Sequence, residues 1–163
     1  MNRSPSNSRL PEALIGEQLT TSGLTLATAE SCSGGLLAHR ITNVPGSSGY
    51  FLGGVITYSN EAKADLLGVS MRDLDQDGAV SETVARQMAQ GVRERFDADW
   101  GVGITGIAGP GGGSPGKPVG LVYIALSGGR QTSVTRNLFE GSRESIKEQT
   151  TEEALRLLLE QLQ

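Results

Sequence analysis

Ser31 stands in the run Glu30-Ser31-Cys32-Ser33-Gly34-Gly35, where two hydroxyls, a thiol and two glycines share six consecutive positions. A hydroxyl ahead of a helix can cap it by accepting a backbone N–H. Alternatively it can act as a nucleophile, with the unpaired N–H groups of the helix terminus stabilising an oxyanion. A cap needs one oxygen, and this run holds more small polar residues than capping requires. Ser31 is therefore a candidate nucleophile, and Cys32, Ser33 and Gly34 are candidates for oxyanion or substrate contact.

A nucleophilic serine needs a base. The sole histidine, His39, follows eight residues later on the helix that the run opens. At about 1.5 Å per residue it lies around 12 Å away along the axis, outside hydrogen-bond reach. That leaves a lysine or a carboxylate. Three lysines, Lys63, Lys117 and Lys147, stand beside eleven arginines. Lys63 ends the run Thr57-Tyr58-Ser59-Asn60-Glu61-Ala62-Lys63, at the mouth of a strand and in the first turn of a short helix. The positive end of a helix dipole disfavours an ammonium there and lowers its pKa toward the working range. A solvated surface lysine is the plain alternative. Tyr58 offers a hydroxyl that could orient the amine or a substrate, or could simply pack with its tip in water.

Thr105-Gly106-Ile107-Ala108-Gly109 can bring successive backbone amides close to an anion, as glycine-rich turns do. Beyond it, Gly111, Gly116 and Lys117 fall at G-x-x-x-x-G-K spacing. Pro118 then stands where a magnesium-binding hydroxyl is needed, and a strand follows rather than a helix, so a nucleoside-triphosphatase loop is rejected. Arg143, near the start of the last helix, could make a bidentate phosphate contact or sit in solvent.

The elements that must position these residues follow from periodicity and punctuation. A helix is expected over Leu10 to Ser22 and a strand over Leu24 to Ala29. A helix over Leu36 to Ile41 and a strand over Tyr50 to Tyr58 follow. Asn60 is read as the cap of a helix ending at Leu67 before Gly68, and Met71 to Gly78 as a charged loop. Ser81 caps a helix to Phe96; Trp100 to Thr105, Val119 to Leu126 and Thr132 to Phe139 are strands, the last two a hairpin. A final helix runs from Arg143 to about Leu159. Strands alternating with amphipathic helices imply an α/β fold: a three-layer α/β/α sandwich with a mixed, mostly parallel central sheet. Three polar segments follow strands, at Glu30 to Gly35, Ser59 to Lys63 and Thr105 to Gly113, and build one pocket if they share an edge.

The chain has 163 residues, 37% hydrophobic and 20% charged, with a formal net charge of −4. Residues 1–9 read as a frayed polar tail and 10–163 as a single domain. Scattered basic residues and an acidic balance argue against a nucleic-acid partner. No apolar stretch approaches the roughly 20 residues of a membrane span, and no secretory signal opens the chain. One cysteine allows neither an internal disulfide nor a thiolate zinc site and makes the cytoplasm the default compartment.

Taken together, the segments resemble the CinA C-terminal domain family. The resemblance rests on Thr28 to Gly35, Gly53 to Lys63, Gly78-Ala79-Val80-Ser81, Gly103 to Pro110 and Lys117-Pro118-Val119-Gly120, in an order that covers nearly the whole chain. Ser33 stands where many relatives have threonine. The resemblance implies an amidohydrolase that converts nicotinamide mononucleotide, a small-molecule pyridine nucleotide, to nicotinic acid mononucleotide and ammonia. It implies a serine nucleophile at Ser31 with Lys63 as base, and the three-layer sandwich. It also implies that activities of the extra N-terminal domain of longer members are missing here. On this reading Tyr58 assists the dyad, and backbone amides around Cys32 and Ser33, with Ser48, hold the oxyanion. The loop Thr105-Gly106-Ile107-Ala108-Gly109 and Arg143 hold the phosphate. No metal or cofactor is required, and a homo-oligomer is compatible with the sequence. The rival class is a non-catalytic nucleotide-binding or regulatory protein, in which Ser31 merely caps a helix; a DNA-associated competence factor fits the acidic composition poorly.

Overall fold

In this computed structural model the described residues are 9–163, so the tail expected over 1–9 lies, apart from Arg9, outside them. The first helix, α1 (Pro11–Ser22), begins on a proline, whose missing N–H would have no partner there. It ends at Gly23 in the left-handed region, φ 67°, whose N–H returns to the carbonyls of Leu19 and Thr20.

Five strands follow: β1 (Leu26–Glu30), β2 (Phe51–Ile56), β3 (Trp100–Gly106), β4 (Leu121–Gly128) and β5 (Gln131–Leu138). They form one sheet in the order β2-β1-β3-β4-β5. β1 pairs in parallel with β2 and β3, while β3–β4 and β4–β5 are antiparallel. The sheet is mixed, as expected. Four strands point one way, but the four pairings divide evenly, because the hairpin at Gly129 and Arg130 reverses the chain beside β4. "Mostly parallel" thus fits strand direction better than pairing.

Side chains leave alternate faces of a strand, and the two faces are covered by different helices. Leu26, Val102, Ile104 and Ile124 join Ile15 and Leu19 of α1, Leu37 and Ile41 of α2 (Leu36–Thr42), and Ile146, Ala154, Leu155 and Leu158 of α6 (Arg143–Leu162). Ala27 and Ala29 face Leu67 of α3 (Asn60–Leu67), Leu74 of α4 (Met71–Asp77), and Val84, Met88 and Val92 of α5 (Glu82–Phe96). A large aliphatic side chain withdrawn completely from water, such as Leu19, Leu26 or Leu155, contributes about 1.5–3 kcal/mol. On the α5 face β3 carries Gly101 and Gly103. A Cβ at 101 would meet Ala89 O at 2.2 Å and one at 103 would meet Ala89 N at 2.6 Å, so α5 lies directly on the central strand.

Two local readings are corrected. Met71–Asp77 is a helix, not a loop. Ser70 caps it by accepting from Asp73 N, and Gln87 of α5 receives Ser70 N–H at 2.8 Å and donates to Asp73 at 2.6 Å. With only Leu74 buried, the helix shows no apolar stripe in sequence. The cap of α3 is Ser59, which accepts from Ala62 N, rather than Asn60. Among the described residues no helix is long and apolar enough to cross a membrane.

Candidate active site

β1, β2 and β3 run side by side, so their C-terminal ends release Ser31, the Thr57–Lys63 segment and the Thr105–Gly112 loop at one edge of the sheet. Ser31 continues the edge of β1, its N–H donating to Ile104 O at 3.0 Å. It is not a helix cap. The N-cap of α2 is Gly35, φ 99°, which has no side chain. The capping is done from a distance by Glu30, the last residue of β1 and only 1% exposed. Its carboxylate accepts from Leu37 N at 2.9 Å and Ala38 N at 3.1 Å, as well as from Ser33 Oγ at 2.7 Å. A negative charge at the positive end of a helix suits both partners. The hydroxyl of Ser31 is consequently released from structural duty.

Its partner is Lys63. Nζ lies 3.2 Å from Ser31 Oγ and donates to Thr57 O at 2.8 Å. The side chain is 2% exposed, and none of the ion pairs among the described residues includes it. Burial pushes the Lys63 amine below the usual lysine range, opposed in part by the neighbouring Cys32. The position in the first turn of α3 that suggested a lowered pKa is thus reinforced by removal from water. An ammonium fills the 3.2 Å contact by donating, and a neutral amine fills it by accepting the serine proton. The Thr57 carbonyl orients the amine in either state.

The two residues sit in a cleft of about 290 Å³. It is also lined by Cys32, Tyr58 and Asn60, by Ala79 and Val80, and by the Thr105–Gly109 loop with Gly111 and Gly112. Arg143 closes the rim, donating to Gly109 O at 2.8 Å and to Tyr58 OH at 2.7 Å. Tyr58 is 62% exposed, so its ring stands at the mouth rather than in the core. Thr105 does not face outward: its hydroxyl donates to Ala79 O at 2.8 Å and fixes the segment before α5.

Not every candidate reaches the cleft. Ser48 lies in the 3-10 turn Ser47–Gly49 that leads into β2. It is one whole strand, roughly 20 Å, from the end that leads to Lys63, so it cannot contact the oxyanion. The Ser33 hydroxyl is fully buried and spent on Glu30, and Gly34 N–H is spent on Ser31 O at 3.1 Å. Among the described residues the backbone N–H groups of Cys32 and Ser33 have no protein acceptor. The Cys32 thiol is pushed up to about 12, first by burial, and is not a nucleophile near neutral pH. His39 is exposed on α2 beside Asn43. Asn60, Gly111 and Gly112 fall within the segments expected to build the pocket, though sequence reasoning named none of them as a site residue; it gave Ala79 and Val80 no site role, since a small apolar residue in a loop carries no chemical signal. Nor did it assign Glu30 its capping role; the signal was there, an acid at a strand end before a helix lacking its own cap. Among the described residues no three His, Cys, Asp or Glu side chains gather as they would around a metal ion.

Comparison with known proteins adds the family. Residues 9–162 match the model of the CinA C-terminal domain. A Moorella thermoacetica protein named for competence-damage inducibility is 60% identical over 147 residues, 90% of this chain and 36% of that protein. A CinA-like protein of Acaryochloris marina is 54% identical over 153 residues, 93% of this chain and 36% of its own length. The chain thus spans just over a third of these curated relatives. Among solved structures, the competence/damage inducible protein CihA of Agrobacterium tumefaciens superposes with a TM-score of 0.90 at 40% identity, covering 100% of both chains.

Proposed function

The chain belongs to the CinA C-terminal domain family, and on that footing we propose that it is a serine/lysine amidohydrolase converting nicotinamide mononucleotide to nicotinic acid mononucleotide and ammonia in the cytoplasm. The observation that carries this reading is a buried lysine, free of any carboxylate partner among the described residues, 3.2 Å from a serine hydroxyl that no helix needs.

Neutral Nζ of Lys63 takes the hydroxyl proton as Ser31 Oγ bonds to the carboxamide carbon. The carbonyl oxygen becomes an alkoxide, received by the unpartnered N–H groups of Cys32 and Ser33. The new ammonium of Lys63 returns its proton to the nitrogen, the C–N bond breaks and ammonia leaves. Water, deprotonated by the same amine, then attacks the acyl ester; the acid departs and Ser31 regains its proton. Thr57 O holds the amine in line through both halves. The substrate phosphate is assigned to Arg143, which already spans the rim between Tyr58 and Gly109, and to the backbone of the Thr105–Gly109 loop.

Ammonia release from nicotinamide mononucleotide tests the assignment. The wild-type chain should turn over, and Ser31→Ala and Lys63→Ala should each lower kcat by about 10²–10⁴. Calorimetric binding of the nucleotide without ammonia release would replace the enzyme by a binding protein, and full turnover by both variants would remove the dyad.

A further inference from the structure

The lysine of the G-x-x-x-x-G-K spacing has a use that is not phosphate binding. Lys117 does not line the cleft. Its amine donates to Asp77 O, the last carbonyl of α4, where the negative end of the helix dipole favours a cation. The lysine is presented by a short closed turn: Ser114 N donates to Lys117 O at 2.8 Å and Lys117 N to Ser114 O at 3.1 Å. Position 78 is shaped to admit it. Gly78 has φ 79°, and a Cβ there would stand 2.9 Å from Nζ, so a side chain would be strained and would displace the amine.

This contact is a second tie between two segments that line the cleft, beside the bond from Thr105 Oγ1 to Ala79 O at 2.8 Å. Residues 107–120 form a strap closed at its base by Gly120 N to Ile107 O at 2.8 Å and Ile107 N to Leu121 O at 2.9 Å. Arg143 clips one side of the strap through Gly109 O, and Lys117 clips the other to α4. In residues 77–81 three successive carbonyls are occupied: Asp77 O by Lys117, Gly78 O by Ser81 Oγ at 2.9 Å, and Ala79 O by Thr105 Oγ1 at 2.8 Å. The side chains this segment contributes to the cleft, those of Ala79 and Val80, are apolar, and Ile107 and Ala108 belong to the same lining.

We propose that Lys117 is a positioning residue: by clipping the strap to α4 it sets the gap between Ala79–Val80 and Ile107–Ala108, a slot for the flat ring of an aromatic carboxamide. The proposal rests on the amidohydrolase reading for its ligand, and on the hydrogen bonds above for the clip itself.

Hydrogen exchange and steady-state ammonia release on the full chain, with nicotinamide mononucleotide as probe, test both parts in Lys117→Met, Lys117→Arg and Gly78→Ala. With the clip gone the strap should be in register for only a fraction of the time. A fraction near one tenth raises KM about tenfold and leaves kcat within about threefold. Exchange protection of residues 78–81 and 106–113 should fall by a similar factor while β4, β5 and α6 keep theirs. Gly78→Ala should reproduce Lys117→Met, and Lys117→Arg should restore both readouts. Unchanged protection in Lys117→Met would overturn the proposal, as would a loss spread over the whole chain or equal losses in kcat and KM. Unfolding of both Lys117→Met and Gly78→Ala would overturn it in favour of a purely structural lysine. Absence of ammonia from the wild-type chain with any carboxamide would fell the amidohydrolase reading and the ring slot, and the exchange data alone would then decide the clip.

Discussion

Lysine is a base only without its proton, and everything around Lys63 favours losing it. Burial is the main cause; the nearby Cys32 opposes it, and no carboxylate among the described residues holds the charge in place. Turnover should accordingly rise with pH along a single ionisation whose midpoint lies below the ordinary lysine value of 10.5. A pH profile of kcat/KM checks this, and a rising limb whose midpoint stands at 10.5 would contradict the lowered Lys63 amine. Lys63→Arg keeps the cation but cannot deprotonate, so it should lose about as much as Lys63→Ala, some 10²–10⁴-fold. Cys32 behaves oppositely. Its thiol, pushed up to about 12, should resist iodoacetamide at neutral pH in the folded chain and react on denaturation. Mass spectrometry counts the alkylated fraction, and rapid labelling of the native chain would contradict the assignment. Ser31 and Lys63 were legible in sequence because the absence of a nearby histidine narrows the bases to so few. Ser48 was misread although chain order already sets it before β2 and Lys63 after it, at opposite ends of one strand.

At the scale of one element, the site depends on a helix that is capped by the wrong residue. α2 starts at Gly35, which has no oxygen to offer, and Glu30 supplies the cap across six intervening residues of turn and helix. Glu30→Ala would leave the Leu37 and Ala38 N–H groups and the Ser33 hydroxyl without an acceptor inside the fold. The expected cost is about 2–4 kcal/mol, read as a lower urea midpoint, with Glu30→Gln costing less because one amide oxygen can still accept. A Glu30→Ala midpoint equal to that of the wild-type chain would mean that water satisfies these groups and that the turn is held by other contacts. Helices α1, α5 and α6 and all five strands were legible from period and punctuation. α4 was not: one buried leucine cannot announce a helix, and its stabilising bonds come from Gln87, a residue on another element. Propensity and periodicity are local, whereas that helix is fixed by a tertiary contact.

For the whole molecule, a reactive amine in the interior links the site to global stability. The layered arrangement could be read from alternating apolar patterns, because each strand face must be covered by a helix. The burial of Lys63 could not, since it depends on the segments that follow β1 and β2, with Ser31, Cys32 and Thr57, meeting around one residue of α3. Unfolding returns Lys63 to water and to its ordinary pKa near 10.5. Between the lowered native value and that figure the unfolded chain binds more protons than the folded one, so stability increases with pH. Below the native value both states are protonated and the full cost of the buried charge is present; above 10.5 both are neutral and the cost is gone. Lys63→Met has no such group. Every other ionisable side chain is common to both proteins, so their difference in unfolding free energy isolates this one. Whatever its size near neutral pH, that difference should move in favour of the wild-type chain as pH rises toward 10.5, by at most about 1.36 kcal/mol per pH unit. Urea unfolding of the two chains at a series of pH values measures it. A difference that stays constant across that range would place the lysine pKa at its ordinary value, and the serine would then lack its base at neutral pH.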